Sequence, residues 1–114
     1  MDVRDRANLL SNAVARFLQV NSGVDFVLID CPPSLGLLTL NALVAAREVL
    51  IPVQAEYYAL EGLSLLLSTL EKVRGALNPS LNEPLMAMTM VDGRTRLASD
   101  VAAEVRGHFG ARVF

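Results

Sequence analysis

Three observations in this 114-residue sequence predict an α/β fold, a parallel sheet with helices on both faces. Apolar runs at 26–29, 49–53 and 85–91 show little polar alternation, the mark of strands buried on both sides of a helix-covered sheet. The segments between them carry apolar residues spaced by threes and fours, the period of a helix with one buried face. The first run ends in Asp30, succeeded at once by Cys31, Pro32 and Pro33. Open α/β sheets bind ligands beyond the carboxyl ends of their strands, so Asp30 is predicted at the rim of a site.

Taken in order, residues 2–20 form a helix with Val3, Ala7, Leu10, Val14 and Phe17 inward. Asp2 is its N-cap, and Asn21-Ser22-Gly23 ends it. The first strand covers 25–29, and a second helix 36–47. Residues 48–53 make the second strand, where Pro52 removes a ladder donor and argues for a strand end or an edge. Residues 54–58 lead into a long helix with Leu60, Leu63, Leu67, Leu70, Val73 and Leu77 on one stripe, stopped by Asn78-Pro79. A loop over 79–84 precedes the third strand at 85–91 and a turn at Asp92-Gly93. Thr95 caps a last helix with Leu97, Val101, Val105 and Phe109 inward, and Gly110 suits its end. Val113-Phe114 opens a fourth strand. The order α-β-α-β-α-β-α-(β) is that of a helix-covered parallel sheet, and no linker, repeat or second domain interrupts it.

Composition narrows the function. An apolar content of 53% supplies a core, and a net charge of −2 carries no overall basic signature of a nucleic-acid binder. The longest largely apolar run, 35–46, is shorter than the roughly 18 residues of a membrane span. No signal peptide is visible, and a single cysteine, Cys31, fits a reducing compartment, so cytoplasmic localisation is predicted. A carboxylate placed like Asp30 is how nucleotide-hydrolysing proteins hold the magnesium that bridges terminal phosphates. The basic residues point the other way. Nine arginines stand beside one lysine, Lys72, and no Gly-Lys pair exists. A phosphate-binding P-loop needs that pair at the end of a glycine-rich turn. If Asp30 is half of a nucleotide site, the other half is not in these residues.

The blocks DFVLIDCPPSLGLLTLNAL at 25–43, IPVQAEYYALEGL at 51–63 and MVDGRTRL at 90–97 closely resemble the ParA/Soj family of chromosome and plasmid partition ATPases, in the family's order. The resemblance runs from the first helix to the last residue. It implies the central portion of a P-loop NTPase-like sheet, residues 1–114 forming part of a nucleotide-binding domain without the P-loop strand and the C-terminal part. Family members are deviant-Walker ATPases that form ATP-dependent dimers and bind DNA non-specifically, and a ParB-type partner stimulates their hydrolysis. Carried over by position, Asp30 matches the Walker B aspartate that contacts magnesium through water. Cys31, Pro32 and Pro33 match the start of the switch segment that senses the terminal phosphate. Arg94 matches an arginine used on DNA, with Gly93 where the family commonly has Ala. Gln54, Glu56 and Glu61 fall in a block near the nucleotide and dimer face, without individual roles. The resemblance implies ATP and magnesium as cofactors of the intact family protein, a nucleoid-associated cytoplasmic location and no membrane partner. With no Gly-Lys loop or switch I aspartate, the isolated chain is predicted to bind no nucleotide tightly and to be inactive as an ATPase.

Other features read as structure. Cys31 has no His or Asn constellation and is expected to be a small, partly buried residue. Arg94, Arg96, Arg106 and Arg112 are interleaved with Asp92, Asp100 and Glu104, by spacing alone a solvated mixed-charge face. His108 is expected at the core edge, and Tyr57-Tyr58 as packing at a helix start. Two rival readings remain: a non-enzymatic dimerisation or DNA-binding module, and a MinD-type cell-division relative, which the CPPSLG and DGRTR blocks fit less well. Uncovered strand edges predict self-association, as a homodimer or by strand exchange.

Overall fold

The computed structural model describes residues 3–32, 36–54, 59–89 and 94–114. The expected cap at Asp2, the Tyr57-Tyr58 pair and the turn at Asp92-Gly93 lie outside them, as do Pro33 and Glu56. The described elements are α1 (Val3–Ala7), α2 (Leu9–Val20), α3 (Leu37–Ala45), β1 (Leu50–Gln54), α4 (Ala59–Ala76), β2 (Leu85–Thr89) and α5 (Arg96–Phe109), with a 3-10 turn over Gly110–Arg112. The chain forms two compact units, residues 1–47 with 73–81, and residues 48–72 with 82–114.

The second unit holds the sheet. β1 and β2 run parallel in the register Ile51 to Met86 and Val53 to Met88. On the other side of β2, Met86 bridges Val113 in parallel, and the Phe114 N–H donates to the Met86 carbonyl at 2.7 Å. The expected fourth strand therefore opens where the sequence places it. Pro52 is tolerated because β1 pairs on one side only among the described residues, with Ile51 and Val53 inward and Leu50, Pro52 and Gln54 outward. That alternation differs from the expected run buried on both faces. Met86, flanked by pairing on both sides, is fully buried. α5 buries Ala98, Val101, Ala102 and Val105. Leu97, expected inward, is half exposed, because the small alanines, which let a helix approach closely, take the inner face. His108 is exposed rather than at the core edge, with Nδ1 3.0 Å from the Glu104 carbonyl. Gly110 ends the helix at φ +57°, a conformation that suits glycine.

In the first unit the expected opening helix is broken in two at Asn8, whose backbone leaves helical geometry (φ −95°, ψ 1°). Asparagine competes for backbone hydrogen bonds and favours such breaks. Ala7 is buried, but no residue of α2 is, and Phe17 faces solvent rather than a core. Asn21 closes α2 by donating Nδ2 to the Phe17 carbonyl at 2.8 Å. α1 and α2 pack on α3.

The main departure is the first strand. Residues 24–32 carry no helix, turn or ladder, and Phe26 and Leu28 are 86% and 93% exposed. The run has the composition of a central strand, but a strand exists only where neighbours pair with it, and none of the described residues does.

Candidate functional site

Asp30 comes after the run Phe26-Val27-Leu28-Ile29 and precedes Gly36, the N-cap of α3. Its exposed carboxylate has no hydrogen-bond or ion-pair partner among the described residues. Cys31 and Pro32 are exposed as well, and the Cys31 thiol reaches only the Ile29 carbonyl, at 3.8 Å. The partly buried setting expected for Cys31 is not found. Pro33, the remaining member of the expected switch start, lies outside the described residues.

The helix downstream of the carboxylate, α3, is held firmly. Its buried Asn41 side chain accepts from the Leu10 N–H at 3.1 Å and donates to the Leu37 carbonyl at 3.0 Å. At the other end of α3, buried Asn78 directs Nδ2 at the carbonyls of Leu43, Val44 and Ala46, at 3.0, 3.1 and 2.9 Å, while its Oδ1 accepts from Ser80 N–H. These are carbonyls that a helix terminus leaves without intrahelical partners. Arg74 Nε fastens the same connection by donating to the Leu81 carbonyl at 2.8 Å. The helix next to the Asp30 segment is thus pinned at both ends by asparagines. Sequence reasoning makes Asn41 an interruption of an apolar run and Asn78 a helix stop, and misses both clasps. The available signal is an amide side chain within an otherwise apolar helix, which must find partners if buried.

Among the described residues no three His, Cys, Asp or Glu side chains are grouped to hold a metal. A single free carboxylate suits magnesium, which keeps several waters and takes further oxygens from phosphates rather than from an all-protein cage. Asp30 therefore fits a contact through metal-bound water.

Arg94 belongs to the second unit, exposed in the turn before α5, where Thr95 is the N-cap residue. Thr95 holds the N-cap position expected of it but makes no side-chain cap hydrogen bond. Arg96 is 95% exposed and meets Asp100 at 3.8 Å one turn on, the solvated pairing that interleaved charges predict. Arg112 pairs with Glu83 and lies 5.6 Å over the Phe109 ring. Gln54 and Glu61 are exposed at the end of β1 and in the first turn of α4. No described helix is long and apolar enough to cross a membrane.

Comparison with known proteins adds three findings. Residues 1–83 match the AAA domain family. The chain is 60% identical over 94 residues to the chromosome-partitioning ATPase Soj of Thermus thermophilus, covering 82% of this chain and 38% of that protein. It is 50% identical over all 114 residues to the Soj protein of Treponema pallidum, of which it covers 44%. The chromosome partitioning protein ParA of Myxococcus xanthus is 58% identical over 90 residues, 79% of this chain and 32% of that protein. The chain thus spans about two fifths of the length of these curated relatives. Among solved structures, cobyrinic acid a,c-diamide synthase from Mycobacterium smegmatis with bound ATP analog and magnesium superposes with a TM-score of 0.75 at 37% identity, over 92% of this chain and 41% of that one.

Proposed function

The chain belongs to the ParA/Soj family of chromosome-partitioning ATPases, and on that premise we propose that it supplies the magnesium-facing part of an ATP site used in chromosome or plasmid partitioning. The observation that carries this reading is Asp30: an exposed carboxylate, without a partner among the described residues, at the end of an apolar run, with Cys31-Pro32-Pro33 next in sequence and the asparagine-bonded helix α3 beyond. Bound magnesium supplies charge neutralisation across the terminal phosphates. The chain's own contribution is to hold metal-bound water at the Asp30 carboxylate.

These 114 residues contain no Gly-Lys pair, so the phosphate-cradling lysine has no candidate here. The isolated chain accordingly hydrolyses no ATP in this reading, and hydrolysis belongs to a protein that also carries the lysine loop. The missing pair equally favours a second reading, a non-enzymatic module that pairs with other copies or with DNA. Arg94, exposed ahead of α5, is the residue proposed to touch DNA phosphates, a contact that carries no sequence preference and weakens with salt. A ParB-type activator is the proposed protein partner, and a nucleoid-associated cytoplasmic site the proposed location.

A chimera tests the assignment: residues 1–114 replace the matching 44% of the Treponema pallidum Soj protein. ATP hydrolysis is expected in the chimera, with Asp30→Ala lowering it by about 10–100-fold, the usual effect of losing a carboxylate that acts on a metal through water. A chimera indifferent to Asp30→Ala removes Asp30 from the site. Hydrolysis by the 114-residue chain itself, lost in Asp30→Ala, overturns the requirement for a separate lysine loop.

A further inference from the structure

We draw no further inference here: the strongest candidate, the exposed apolar run at 26–29 between α2 and α3, carries nothing because nothing in the structure shows what covers it.

Discussion

The two compact units are built on different principles. The second, around β1, β2 and α5, buries Ile51, Val53, Leu63, Leu70, Met86, Val101 and Val105. Among its described residues, only Leu50, Leu65, Leu97 and Phe114 are exposed large apolar side chains. The first exposes eleven such described residues and buries fewer apolar ones, Ala7, Ala42, Val44, Val73 and Leu81. Its order comes from amide side chains, Asn41 and Asn78, bonded to backbone groups on either end of α3. One unit is held by apolar burial, the other by a polar clasp beneath a largely uncovered apolar surface. The uncovered surface includes the run that leads to Asp30, so the carboxylate of the candidate site sits on the less self-sufficient unit.

The contrast is open to direct attack. Met86→Ala removes a fully buried side chain from the second unit and is expected to cost about 2–5 kcal/mol in urea unfolding, through lost burial and the cavity left behind. A loss under about 1 kcal/mol removes the claim that burial holds this unit. Next in size, Asn78→Ala strips the carbonyls of Leu43, Val44 and Ala46 of their donor and is expected to cost about 2–3 kcal/mol. Hydrogen exchange sharpens the comparison: amides of α3 should lose protection in this variant while those of β2 keep theirs. Uniform loss in both would mean that the clasp supports the whole chain rather than one unit.

Legibility from sequence divides along the same line. In the second unit, β1, β2 and the strand opening at Val113 lie close to where apolar runs and turn residues place them, because those runs find partners within the chain. The face of α5 is turned by about one residue, since a reading by size selects Leu97 where the packing selects Ala98 and Ala102. In the first unit the same logic fails. The run at 26–29 has the composition of a central strand, yet burial belongs to a strand and its neighbours together, and composition reports only one side of that pairing. The role proposed for Asp30 rests on its flanking residues, which the sequence alone displays. The asparagine clasp is not legible, because an amide reads as polar at any distance from its partners, and Asn78 meets carbonyls more than thirty residues away in sequence.

The smallest expected effect carries the opposite sign. Thr39 lies on α3 between the pinned ends, buried to 7% exposure, and its Oγ1 has no hydrogen-bond partner among the described residues. Asn41, two residues on, satisfies both ends of its amide. A buried hydroxyl without a partner bears its desolvation cost with nothing in return. Valine keeps the branched shape and a similar helix propensity while removing that cost, so Thr39→Val is expected to stabilise the chain by about 1 kcal/mol. A gain would show that the first unit depends on particular polar contacts rather than on polarity as such, with Asn41 and Asn78 holding it and Thr39 opposing them. A loss of about 1 kcal/mol or more would mean that the hydroxyl is bonded in solution, and the clasp would then extend along the whole of α3 rather than act at its two ends.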